Sequence, residues 1–130
     1  PATVTWTVAG SGLIKPTFSG TLYMKNTDNL CGRMRYEYIN NSIGAGVIEA
    51  REGTPHCVTD SDLHTFPVTS QYFQGVESSW VDAIRIIIQS SSRDPGTGES
   101  LGNWVQVGST TAYLPSVIVP VVLDLPQTFP

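Results

Sequence analysis

The stretch HCVTDSDLH, His56 to His64, is the densest run of titratable and metal-ligating side chains in the chain. If its second half is extended, Asp60, Asp62 and His64 share a face, because alternate residues of a strand point the same way. Two carboxylates and an imidazole on one side suit weak Ca²⁺ binding, or a transition metal somewhat better. The 12-residue calcium-loop pattern is not met, however, and aspartates in such a stretch also build local turns. The reading carried forward is a polar loop with no metal and no cofactor.

Covalent catalysis has little to work with. A serine or cysteine nucleophile needs a nearby base and a third group to orient it, and His56 and His64 are the only histidines. The strained Gly-x-Ser-x-Gly turn is absent; AGSGL at 9–13 only looks similar and follows no α/β pattern. Paired carboxylates for glycoside hydrolysis would come from separate strands, and eleven acidic residues supply many accidental pairs. No enzyme is expected.

The glycine-studded DPGTGESLG is not a phosphate cradle. Gly102 is followed by Asn103 and a strand, where a phosphate loop has Lys and then a helix. Residues 91–102 form a long connection between two alternating segments, AIRIIIQS and NWVQVGST. Connections of that length are often functional or mobile. Arg93, Asp94, Glu99 and Asn103 can make directed polar contacts there, and Trp104 at its far foot could stack on a sugar or anchor a protein partner. The opposing reading is a mobile tip beside a Trp104 that belongs to the core. The tip reading is favoured, and these five residues remain the best local candidate for contact. The bond after Arg93, with Pro95 beyond it, also resembles protease bait, but no cysteine lies near enough to stiffen it, and rigidity is what gives such loops their affinity.

The elements that must hold these residues alternate with period two. ATVTWTVA sets Val4, Trp6 and Val8 against Thr3, Thr5 and Thr7. TFSGTLYMK sets Phe18, Gly20, Leu22 and Met24 against Ser19, Thr21, Tyr23 and Lys25. RMRYEYI opposes Met34, Tyr36 and Tyr38 to Arg33, Arg35 and Glu37, so both tyrosines are expected in the core. DAIRIIIQS places Ile84, Ile86 and Ile88 opposite Arg85 and Gln89. Shorter strands are expected around VIEAR, NWVQVGST and SVIVPVVLDL, the last at an edge or bulged at Pro120, which cannot donate to a ladder. NNSIGAG reads as a turn. TSQYFQGVESSW could hold one helical turn, and no internal repeat is visible. The pattern describes an all-β single domain over 1–130, an antiparallel β-sandwich of about seven to eight strands.

Composition narrows the setting. Charged residues are 14% of the chain, against roughly 25% in ordinary domains, while thirteen Ser and fourteen Thr supply polarity instead. A net charge of −4 with seven scattered Lys and Arg argues against nucleic acid, which calls for a basic face. The longest apolar run, VIVPVV, falls far short of the roughly 20 residues that span a bilayer as a helix. Cys31 and Cys57 are the only thiols and are expected to pair. A zinc site is disfavoured, since His56 flanks Cys57 but nothing comparable accompanies Cys31. The chain begins at Pro1 without Met, as after removal of a leader or after trimming. A secreted, extracellular location is expected.

The function expected from these residues is non-catalytic binding of a glycan or a protein surface. Two alternatives stand beside it. The apolar PSVIVPVVLDLPQTFP or the N-terminal PATVTWTVA could insert into a neighbouring copy and make a homo-oligomer by strand exchange. Protease inhibition through Arg93 is the other. Asn40-Asn41-Ser42 matches the glycosylation triplet but supports no conclusion alone.

Overall fold

The computed structural model describes residues 2–8, 14–25, 30–42, 44–60, 62–70, 81–116 and 120–123. Nine strands follow in order: β1 (Ala2–Val8), β2 (Ile14–Met24), β3 (Leu30–Asn40), β4 (Gly46–Glu52), β5 (His56–Val58), β6 (His64–Thr69), β7 (Ala83–Ser92), β8 (Val105–Tyr113) and β9 (Val121–Leu123). They form two antiparallel sheets packed face to face, one ordered β6-β2-β1-β9 and the other β4-β3-β7-β8. The three-residue β5 pairs with β3 along the same edge as β4. No helix occurs among the described residues.

Alternation of apolar and polar residues decides which face of each strand turns inward. Val4 and Trp6 of β1, Phe18, Leu22 and Met24 of β2, Met34, Tyr36 and Tyr38 of β3, and Ile84, Ile86 and Ile88 of β7 are buried in one cluster. A slip of one residue would expose a whole row of these side chains, so burial on this scale fixes the register. Gly20 also faces inward. A Cβ there would lie 2.9 Å from the Phe18 ring and 3.1 Å from Ala2, so the missing side chain is what lets the two strands carry a large aromatic at this point.

The expected alternating segments RMRYEYI and DAIRIIIQS are realised as the longest pairing among the described strands, from Leu30↔Ser92 to Ile39↔Ala83. Two strands were not expected. β5 is too short for periodicity to reveal, and β6 carries Pro67 in its middle. β6 tolerates that proline because it is an edge, hydrogen-bonded to β2 alone. Pro120 directly precedes β9, an edge strand that pairs with Ala2–Val4 of β1. Residues 117–119, 124 and 125 of the expected last strand, and 71–80 of the expected helical turn, lie outside the described residues, as does the side chain of Val8.

Two features tie the loops to this frame. Asn41 and Ser42 turn the chain from β3 to β4, with Gly44 and Gly46 in the left-handed region at φ 73° and 69°. The Asp82 carboxylate, just before β7, accepts from Asn41 N, Ser42 N at 2.8 Å and Ser42 Oγ at 2.7 Å. Partial burial pushes the Asp82 carboxyl upward, but the Asn41 and Ser42 donors outweigh it and hold the net value below an ordinary carboxylate. Asn40 is fully buried, so the glycosylation triplet presents no surface amide. The second tie is the Cys31–Cys57 disulfide, which joins directly paired residues of β3 and β5. A disulfide fits an oxidising, extracellular-type environment.

Candidate functional site

The outer face of the β3–β7–β8 layer carries the richest polar arrangement. On β3 it presents Arg33, Arg35 and Glu37; on β7, Gln89, Ile87 and Arg85; on β8, Gln106, Ser109 and Thr111, each row in register with the next. Arg35 pairs with Glu52 of β4 and, at 3.4 Å, with Glu37. Glu37 in turn accepts from Arg85 at 2.7 Å. The chain Glu52–Arg35–Glu37–Arg85 therefore neutralises itself. These pairs are part-buried at Glu37 and more exposed at Glu52 and Arg85, and they fix the geometry of the face. Ile87 shares it and yet is only 6% exposed, standing opposite Arg35 and flanked by Arg85 and Gln89. The long polar side chains shield it with their stems.

Arg33 is different. Its Nε donates to Gln89 Oε1 at 2.8 Å, and its guanidinium carbon lies 4.1 Å from the centroid of the Trp104 ring. Among the described residues no carboxylate comes within ion-pair distance of it. Burial lowers its pKa, with Glu52 acting against the shift and Arg35 reinforcing it. A guanidinium stays charged regardless. The result is a half-buried cation, braced from below by an aromatic ring and at one edge by an amide, with its remaining N–H groups uncommitted to any acidic side chain.

Trp104 is thus not a core residue. It leaves the loop and packs across the sheet onto Arg33, which sequence spacing gave no means of foreseeing. The outward set of Arg33, Arg35, Arg85 and Gln89 was visible from alternation, but their union with Trp104 depends on strand register.

The long connection is more ordered than a mobile tip. Strand β7 runs to Ser92, and Arg93 bridges Ser100. Asp94 N donates to Glu99 O, and Gly98 N returns a bond to Asp94 O, both at 2.7 Å. Gly96 N caps the Asp94 side chain. At the base, Asn103 Oδ1 accepts from Ser91 Oγ and Ser92 N, while Ser91 and Ser100 hydroxyls meet at 2.6 Å. Asn103 is therefore spent on holding the loop, and Asp94 on its turn. The Arg93 side chain lies across Gly98, whose φ of 79° only glycine adopts readily. Glu99 is exposed. The Arg93–Asp94 bond lies where this closed hairpin begins, with Arg93 bridged to Ser100 and Asp94 N bonded to Glu99 O.

The His56–His64 cluster does not converge. Asp60 Oδ1 accepts from the Asp62 backbone N–H at 2.9 Å and contacts His64 Nε2 at 2.7 Å, an aspartate-led turn at the start of β6. The His64 contact, then the Asp62 bond, lower the Asp60 pKa. No metal-ligating group of three acidic, Cys or His side chains forms among the described residues. His56 instead stacks on Phe66, centroids 4.1 Å apart. Neither histidine hydrogen-bonds a serine or threonine hydroxyl among the described residues.

Comparison with protein-family models, with curated proteins and with solved structures finds no match for this chain.

Proposed function

We propose that this protein is a non-catalytic extracellular binding module whose outer β3–β7–β8 face takes an acidic glycan. The observation that carries the reading is Arg33, held between Trp104 and Gln89 with no carboxylate partner among the described residues. A planar guanidinium fork matches a carboxylate or sulfate bidentately, and an indole offers a surface for the C–H face of a sugar ring. Gln106, Ser109 and Thr111 supply neutral hydrogen-bonding groups along the same face. On a chain of net charge −4, this is a local cationic position suited to an anionic ligand.

An array of neutral and acidic oligosaccharides tests the proposal. Saturable binding of uronate-bearing or sulfated sugars, weakening as salt screens the charge, supports it. Binding that survives Trp104→Ala unchanged, or no acidic sugar bound at all, overturns it.

A second reading, homo-oligomerisation by strand exchange, has one observation in its favour. β9 covers only Ala2–Val4, so among the described strands Thr5–Val8 has β2 alone as a neighbour. Val122 beside it is 72% exposed. Light scattering across a concentration series decides this: a constant monomer mass ends the assembly reading.

A further inference from the structure

Glu37 is the least exposed member of the ion-pair chain on the outer face, its side chain 14% exposed against 42% for Arg85. It stands on β3 directly opposite Arg85 of β7 and two residues beyond Arg35 on the same face. Both of its oxygens are engaged: Oε1 accepts from Arg85 at 2.7 Å, and Oε2 faces Arg35 Nε at 3.4 Å. One carboxylate thus occupies two guanidinium groups, and Glu52 holds Arg35 from its other side. Arg85 makes no second ion pair among the described residues.

This arrangement limits what a ligand finds beyond Arg33. An anion that drew Arg85 or Arg35 away would leave the part-buried Glu37 short of a partner, and stripping one partner from such a pair is costly. An anion approaching Arg35 would also meet Glu52. The row that carries Arg33 is different. Arg33, Gln89 and Gln106 lie side by side across β3, β7 and β8, with no acidic side chain among them. That row spans two strand spacings, about 10 Å, of neutral hydrogen-bonding surface. Arg85 lies off it, level with Glu37 and four residues along from Arg33, which is about 14 Å at the usual rise of a strand.

We infer that Glu37 sets the charge selectivity of this face: by holding Arg35 and Arg85, it restricts the site to a glycan with one anionic group seated on Arg33 and neutral sugars along Gln89 and Gln106. The inference rests on the acidic-glycan reading and goes beyond it, because it places polyanionic chains outside the favoured ligands. Glu37 itself touches no sugar; it acts through the two arginines it holds.

The test is titration calorimetry of the full chain with two tetrasaccharides of one backbone. The first carries a single sulfate at one end, and the second adds another sulfate at the opposite end. The parent should bind both within about threefold, since exposed charges farther apart than a Debye length are largely screened. Glu37→Gln keeps the shape and releases Arg85. It should raise affinity for the disulfated sugar about tenfold, the scale of one charge-assisted hydrogen bond, and leave the monosulfated one unchanged. Adding Arg85→Gln to that variant should cancel the gain. Asp62→Asn removes one carboxylate from the turn before β6 and should leave the ratio of the two affinities as in the parent. A parent preference for the disulfated sugar beyond threefold overturns the inference while leaving the acidic-glycan reading intact. So does a Glu37→Gln variant that gains nothing, or an Asp62→Asn variant that gains as much. Failure of the parent to bind either sugar overturns both.

Discussion

Replacing Cys31 and Cys57 together by alanine should cost this protein a large fraction of the roughly 5–15 kcal/mol by which a typical domain is stable. The bridge closes a segment with a sequence separation of 26. Putting ~26 into the loop-closure relation gives an entropy term of about 12 cal/mol/K, or about 3.5 kcal/mol at 25 °C. The local structure offers little to offset it. β5 has three residues and three paired positions, Leu30↔Val58, Cys31↔Cys57 and Gly32↔His56, so without the bridge it is held by a minimal ladder. Cys31 is also fully buried, so alanine adds a small void to the loss. Urea unfolding followed by tryptophan fluorescence reads the change directly. For a urea slope of about 2 kcal/mol/M, the midpoint should fall by about 1.7 M. A loss below about 1 kcal/mol at unchanged slope would refute the reasoning. It would mean that β5 and the chain leading to it are constrained by something other than the covalent tie.

Other consequences are as specific. Asp82→Asn should destabilise the fold by about 1–2 kcal/mol at pH 7, because charge-assisted bonds to Asn41 and Ser42 weaken. The folded Asp82 pKa is depressed, so its contribution is fully present above the ordinary Asp value and is lost as pH falls through the lower folded value. Parent and variant stabilities, measured by urea at pH 7 and again near pH 3, should therefore converge on acidification. Ile86→Ala, at a fully buried position paired with Tyr36 and Thr110, should cost about 3–4 kcal/mol by the same assay. A cost below 1 kcal/mol would show that the layer between the sheets collapses around the void.

Much of the frame was legible because burial imposes a strict rule on strands. Met34, Tyr36 and Tyr38 against Arg33, Arg35 and Glu37 could be read directly, and the structure buries the first three and leaves the others on the outer face. Ile87 broke the pattern: it lies on the polar side and is buried there by longer neighbours, which alternation cannot signal. β5 escaped because three residues carry no period, and β6 because Pro67 argues against a strand unless the edge position is known. The site was legible only in part. Trp104 could be singled out from the sequence, but its partner Arg33 sits on another strand, and their meeting depends on how far β7 extends before the chain turns. Asn103 and Asp94 carry the right chemistry for contact and are engaged in holding the hairpin instead. The aspartates of the histidine cluster likewise serve a turn, because a local backbone N–H is a nearer partner than any ion.

The proposal for the outer face rests on Arg33 acting as an oriented fork, not merely as one positive charge. Titration calorimetry with a sulfated tetrasaccharide, run on the parent and on Arg33→Lys, addresses that most directly. Lysine keeps the charge but gives up the planar donor pair and the fit against Trp104. The account predicts at least a tenfold weaker association for Arg33→Lys with the fold unchanged. Equal affinity of the two proteins would contradict it.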